Sequence, residues 1–299
     1  MVWFLALVAA CGASLAWGLA RRQFSFVAYA AVYGYVGVSS ILVRNMTPGL
    51  NSTIEWTDKT GAKVTILLLS QEQAENAALF HLAGSDHLLC SASSLFFDGQ
   101  QLHLQSSISS HQEVAILPDV ALRGSHSLRV GLWTKYFFIQ PGKHPLLTIR
   151  QTQQASPRPA MALGPTIAWR KTAVPVVPPD KAFQKAAKWE IQWINPDMSG
   201  LSEALLQIDY TGDIGRLESN GKLLDDNFYN GLPWQVGLRR FGSETSKRPL
   251  TLEVLPMPAL APIYLDQHAR EELQKQPQNS PSVHAKIVPV YETVVDTTP

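Results

Sequence analysis

The sequence predicts a mainly-β protein: two antiparallel β-sandwich domains carried behind two N-terminal transmembrane helices. Three observations support that class. The first 43 residues hold two uncharged apolar runs, broken only by Arg21, Arg22 and Gln23. From Thr53 onward, short runs rich in apolar and aromatic residues are punctuated by turn residues about every 8–12 positions, the rhythm of an all-β sandwich. Between Leu205 and Phe241, short apolar runs surround an Asn220-Gly221 pair, and Asn-Gly between apolar strands is the strongest short-range hairpin signal.

Residues 1–20 carry no charge, enough length to cross a hydrocarbon core of about 30 Å. Phe24 to Val43 is a second such run, ending at Arg44. Small residues (Gly12, Ala13, Ser14, Ala16, Gly34, Gly37, Ser39, Ser40) suit close helix contact in lipid. A cleaved signal peptide followed by one span is the rival for residues 1–20, but it needs a basic n-region, which is missing, and the second run argues for retention; a buried hairpin is the remaining alternative. The segment 1–44 is therefore expected to be a transmembrane hairpin in contact with membrane lipid. The positive-inside rule places the Arg21-Arg22 loop in the cytoplasm. The β domains then lie on the extracytoplasmic side, making this an integral protein of the cytoplasmic membrane.

The first sandwich is expected over residues 53–152. Thr53-Ile-Glu-Trp, a turn around Asp58 to Gly61, and Lys63 to Leu69 read as a hairpin. Ser70 with Gln73 is a capping box that opens a short helix to about Phe80. Strands follow at Leu88–Ser91, Leu95–Phe97, Leu102–Leu104, Val114–Leu117, Leu128–Trp133, Tyr136–Ile139 and Leu146–Arg150. Residues 153–182 hold six prolines, each lacking a backbone donor, and read as an extended linker with room for one strand at Thr166–Arg170. The second sandwich spans 183–265, with strands at Trp189–Ile194, through the 205–241 stretch and at Leu250–Leu255. A polar tail, 266–299, ends in one late strand over 285–295, added to an edge.

Composition excludes several classes. A net charge of +1 offers no field for nucleic acid. Cys11 and Cys90 are the two cysteines, in no CxxC or zinc pattern. The eight histidines include no H-x-H or H-E-x-x-H, so no metal site is expected. No G-x-S-x-G elbow and no Gly-rich phosphate loop occurs, so neither a catalytic residue nor a cofactor is expected.

The chemistry-bearing residues cluster in the 205–241 stretch. Asp209, Asp213, Asp225 and Asp226 are the carboxylates nearest to an acid/base pair, yet each sits beside a turn or loop where Asp bonds its own backbone. Trp234, Tyr229 and Phe228 suit a sugar platform, with Arg216, Asn227 and Asn230 available for its hydroxyls. The competing reading packs Phe228 and Trp234 into the sandwich core. Trp189 and Trp193 share one strand face and are read as core.

The motifs YTGD-x-x-RL, NGKLLDDNFYNG-x-PW and GLRRF resemble the last β-sandwich module of bacterial glycoside hydrolase family 35 β-galactosidases. Val64 to Leu104, Leu252-Glu-Val-Leu-Pro and Ala-Pro-Ile-Tyr-Leu at 261–265 are similar to the same family's non-catalytic region. The resemblance covers roughly residues 55–265 and implies jelly-roll, galactose-binding-like sandwiches. Nothing here matches the family's catalytic (β/α)₈ barrel with its two glutamates.

The resemblance implies a membrane-anchored accessory protein that contacts a galactoside-containing carbohydrate, or packs on a separate catalytic or membrane protein subunit. The alternative is a membrane-tethered interaction subunit with no sugar binding. A β-galactosidase activity of its own would need a carboxylate pair in a pocket with at least one perturbed pKa. A truncated or re-fused gene remnant is also compatible with the sequence. The 227–234 loop discriminates the first two: Trp234 and Tyr229 exposed beside Asn227 and Arg216 favour sugar, and both buried favour the scaffold.

Overall fold

A computed structural model describes the chain except residues 1, 58, 83, 100, 124, 141–144, 171, 195–196, 243–247, 259–260, 276, 278–279 and 298–299. Asp58, expected in the first turn, therefore lies outside the described residues. Strands account for 43% of the chain and helices for 22%, so the protein is mainly β with several antiparallel sheets. It divides into two compact units. One comprises residues 1–104, 111–139 and 294–299, the other 105–110 and 140–293.

In the first unit, α1 (Val2–Arg21) and α2 (Phe24–Asn45) pack against each other. Trp17 meets Phe26 edge-on beside the short connection. A Cβ at Gly37 would lie 3.0 Å from Val8 Cγ2, so glycine there lets the two helices come close. The segment Phe24–Leu42 is long and apolar enough to cross a membrane.

β1 (Thr53–Thr57) and β2 (Lys63–Leu67) pair as the hairpin expected there. Ser70 caps α3 (Gln71–Glu75), its hydroxyl accepting from the Gln73 N–H while the Gln73 side chain accepts from the Ser70 N–H. The helix stops five residues before Phe80. Ala77–Leu82 forms β3, which pairs with β4 (Ser85–Cys90). Once a partner strand is in reach, its ladder satisfies more backbone groups than one further helical turn.

The main sheet of this unit has the order β3-β4-β7-β9-β8, with β7 His111–Leu117, β8 His126–Val130 and β9 Trp133–Ile139. The run expected as one strand, Leu128–Trp133, is broken at Gly131, and Trp133 opens β9 instead. β5 (Ser94–Asp98) and β6 (Gln101–Ser106) lie on either side of the expected Asp98-Gly99 turn. Leu89, Leu102, Leu104, Val114, Ile116 and Tyr136 form the core, joined by Val295 from the far end of the chain.

The Tyr136 hydroxyl donates to Asp119 Oδ1 at 2.7 Å. Burial first, and then the neighbouring Asp119, push its phenol up from 10.0 to about 12. Unfolded tyrosines ionise near pH 10 while this one keeps its proton in the folded state. Its contribution to stability is therefore complete below pH 10 and lost as pH rises toward 12. Urea midpoints of the full chain in detergent should fall over that window, and less steeply in Tyr136→Phe. Equal slopes in both proteins would contradict this account.

In the second unit one sheet runs β10-β11-β16-β13-β14, with β10 Leu147–Gln153, β11 Ala187–Trp193, β13 Ile214–Ser219, β14 Lys222–Phe228 and β16 Leu250–Val254. β10, expected from the sequence as the last strand of the first sandwich, pairs here with β11. β12 (Leu201–Thr211) lies in another sheet, between β15 (Trp234–Gly237) and β17 (Ser282–Asp296).

β17 thus contains the late strand expected at 285–295, but it is an interior strand of 15 residues and not an edge strand. Pro289 is tolerated inside it because the facing Ala204 turns its carbonyl to the Leu238 N–H, away from β17. Trp189, Ile191, Leu217, Leu252 and Val254 from one sheet share a core with Leu206, Ile208, Trp234, Val236 and Ala285 from the other. Trp193 joins this core with Trp189, as expected.

The Pro-rich stretch forms no strand at Thr166–Arg170, only a bridge between Ile167 and Arg170 around a turn, and another between Leu163 and Pro175. A 3₁₀ turn at Asp180–Lys185 leads into β11. The tail holds a helix not expected from the sequence, α4 (Gln267–Gln274), capped by Asp266, whose carboxylate accepts from the Ala269 N–H at 2.7 Å.

Candidate functional site

The decorated stretch is built on a corner where the chain leaves one sheet for the other. β12 ends at Thr211 and β13 begins at Ile214, so Gly212 and Asp213 make the crossing. A Cβ on Gly212 would lie 2.5 Å from Val254 Cγ1 and 2.8 Å from the Leu255 carbonyl oxygen, which is why glycine occupies the crossing. The Asp213 N–H donates to the Leu255 carbonyl, and the Asp213 carbonyl accepts from the Tyr229 N–H, each at 2.8 Å.

The Asp213 carboxylate is buried and takes the guanidinium of Arg158, which also donates to the Pro256 carbonyl at 3.3 Å. Burial raises this carboxyl above its ordinary value, with Arg158 pulling the other way. Sequence alone does not connect Arg158 to this aspartate, because 55 residues separate them.

β13 and β14 then form the hairpin signalled by Asn220-Gly221. Both turn residues have positive φ, 52° and 74°, the conformation a two-residue type I′ turn requires.

Each candidate sugar-binding residue has a definite place. Tyr229 is 7% exposed and Trp234 5%. Both stand edge-on to Tyr210, at 5.7 and 6.3 Å between ring centroids. The Trp234 ring covers Gly215, whose missing Cβ would sit 3.1 Å from it. The Tyr229 hydroxyl donates to the Ala269 carbonyl on α4 at 3.2 Å.

The Asn227 carbonyl and side-chain oxygen face the Tyr210 hydroxyl at 2.9 and 3.0 Å. Arg216 lies 3.7 Å over the Phe183 ring and donates to Asp180 at 2.7 Å. Asn230 accepts from the Leu232 N–H at 2.9 Å, closing its own loop. The two aromatics thus face the core, Asn227 and Asn230 hold the end of the hairpin and its loop in shape, and Arg216 ties β13 to the 3₁₀ turn at Asp180–Lys185. Phe228, which the core reading packs inside with Trp234, points outward at the end of β14, 57% exposed, and Leu232 is 65% exposed.

The same loop borders a cavity of about 370 Å³ lined by Asp209, Tyr229, Leu232, His268, Glu272 and His284 among others. His284 Nδ1 lies 4.0 Å from Asp209. Lys275 donates to Glu272 at 2.5 Å and holds its carboxyl below the ordinary value. Glu272 is therefore ionised near neutrality, the wrong state for a general acid. Asp225 pairs with Arg240 at 2.8 Å, and its side chain also accepts from the Asp226 N–H. Among the described residues, no three His, Cys, Asp or Glu side chains come together closely enough to hold a metal ion.

One polar pair outside this region was not among the sequence candidates. Ser85 and His87, two apart on β4, share a face. His87 Nδ1 lies 2.7 Å from the Pro118 carbonyl, which can only accept, so Nδ1 carries the proton and Nε2 accepts from Ser85 Oγ at 2.8 Å. The imidazole is buried and ties the end of the β3–β4 hairpin to the Pro118 turn.

Comparison with protein-family models, with curated proteins and with solved structures finds no match to this chain.

Proposed function

We propose that this protein is a membrane-anchored scaffold. Its N-terminal helices hold it in the bilayer as a two-span hairpin, with Arg21 and Arg22 on the cytoplasmic side, and two β-sandwich units on the other side serve as an interaction surface. The observation that carries this reading is the division of labour in the 227–234 loop. Tyr229 and Trp234 are spent on the core, and Arg216, Asn227 and Asn230 on internal contacts, while Phe228 and Leu232 face outward. A sugar platform needs an open ring face with free hydrogen-bonding groups beside it. An exposed aromatic and leucine whose polar neighbours are already engaged suit an apolar protein contact.

The resemblance to the non-catalytic region of family 35 β-galactosidases suggests the partner class, a separately encoded catalytic or membrane subunit. A second reading, contact with a galactoside, is favoured by the polar cavity beside Tyr229, where Asp209, His268 and His284 offer partners for hydroxyls.

One experiment separates the two. The full chain in detergent is titrated with galactosides, with tryptophan fluorescence as readout. In parallel, a photo-crosslinker is placed at Phe228 or at Lys222 in native membranes. The scaffold reading expects no saturable fluorescence change and a discrete adduct from position 228 that Leu232→Asp removes. Saturable binding lost in His284→Ala, with no adduct from 228, would replace it with the sugar reading.

A further inference from the structure

β1 and β2 form a two-stranded sheet of their own. Their register sets Trp56 opposite Val64 and Ile54 opposite Ile66. Strand alternation gathers these four on one face and leaves Glu55, Thr57, Lys63 and Thr65 on the other. Trp56 is 60% exposed, and Val64 and Ile66 are exposed with it. A lone two-stranded hairpin is marginal in water, and a contiguous Trp, Val and Ile face marks an interaction site on a soluble surface. Among the described residues, the fold leaves Trp56, Val64 and Ile66 uncovered and Ile54 half-buried.

Its position along the chain indicates what covers it. α2 ends at Asn45, and the path to Thr53 is short and tied down. The Gly49 N–H donates to the Leu68 carbonyl at 2.8 Å, the Leu68 N–H to the Ser52 carbonyl at 2.9 Å, and the Ser52 N–H back to Gly49 at 2.9 Å. The Ser52 hydroxyl donates to the Thr47 carbonyl. The turn leaving the helix is therefore stapled to the end of β2. With that turn closed, the path from Asn45 to Thr53 reaches at most about 25 Å. The headgroup layer beyond the hydrocarbon core is about 5–8 Å deep on each side, and tryptophan concentrates there, ring in the apolar boundary and N–H toward water.

We propose that the Ile54, Trp56, Val64 and Ile66 face lies on the lipid headgroup layer where α2 leaves the bilayer, so that β1–β2 is an interfacial foot of the anchor. The inference rests on the membrane-anchoring reading above. Lipid is preferred to a protein occupant because the face belongs to the first element after the apolar helix and is stapled to its exit turn. Lys59 and Lys63 border the hairpin's turn, exposed and able to reach lipid phosphates.

The test uses the full chain with Cys11→Ala and Cys90→Ala, carrying an environment-sensitive fluorophore on Val64→Cys, Thr65→Cys or Val36→Cys. Each is reconstituted in phosphatidylcholine–phosphatidylglycerol vesicles that contain lipids spin-labelled near the headgroup or deep in the acyl chain. The expected result is blue-shifted emission at 64, quenched by the shallow spin label, with neither effect at 65. Position 36 should be quenched by the deep label. Loss of quenching at 36 would remove the membrane span itself. Quenching at 36 without any at 64 would overturn the foot alone. A blue shift at 64 that ignores spin-labelled lipid and fades when the protein is diluted among vesicles would assign the face to a second copy of the chain, and would equally overturn it.

Discussion

Replacing Trp234 with alanine is expected to lower folding stability by about 3–5 kcal/mol, the range for emptying a large aromatic from a core. The ring is 5% exposed, covers Gly215, meets Tyr210 edge-on and belongs to the core shared by two sheets. Little collapse is available to refill the space, because Gly215 has no side chain to move in. Thermal or urea unfolding of the full chain in detergent measures the effect, and Trp234→Phe should recover most of it. If Trp234→Ala instead left the unfolding midpoint in place while abolishing galactoside binding, the ring would be a recognition surface and the scaffold reading would fail.

The second large effect is expected at Arg158. Arg158→Met removes the cation that faces the buried Asp213 carboxylate. Breaking a buried pair from one side costs about 3–5 kcal/mol, because the remaining charge is left uncompensated. Burial already raises the Asp213 carboxyl above 3.8, with Arg158 as the opposing influence. Without the guanidinium the value climbs further. A carboxyl whose folded value exceeds its unfolded one takes up its proton first in the folded state. Its contribution to stability is therefore complete below pH 3.8 and lost as pH rises through the higher folded value.

Arg158→Met should accordingly regain stability relative to the parent protein as pH is lowered from 7 toward 4. Adding Asp213→Asn should restore much of the loss at pH 7, since a neutral amide is cheaper to bury than an unpaired carboxylate. A variant equally destabilised at every pH, and not helped by Asp213→Asn, would place the effect in lost packing of the arginine stem. These residues also locate the Pro-rich stretch, because Arg158 is where it is fastened to the sheet crossing.

Local chemistry makes much of this fold legible in the amino-acid sequence. Asn220-Gly221 demands a type I′ hairpin, Ser70 and Gln73 a capped helix start, and Asp98-Gly99 a turn, because each signal acts within four residues. The apolar runs at 1–20 and 24–43 stand out because they carry no charge over so many residues, and Phe24–Leu42 is long and apolar enough to cross a membrane. The content of the candidate site is legible in part. Tyr229, Trp234, Asn227 and Arg216 do belong to one passage, but side-chain direction is not readable there. A residue one position along a strand points to the opposite face, so Phe228 outward and Tyr229 inward look alike in sequence.

What only the tertiary structure decided are the long-range choices. β10 joins β11 and not the strands before it. β17 enters the middle of a sheet, with Ala285 buried opposite Ile208. Arg158 finds Asp213. Pairing partners of that kind are selected by burial and by the closing of distant chain segments, whose entropic cost depends only weakly on how many residues lie between. Sequence order carries almost no record of them, whereas turn chemistry and hydrophobic length are written where they act.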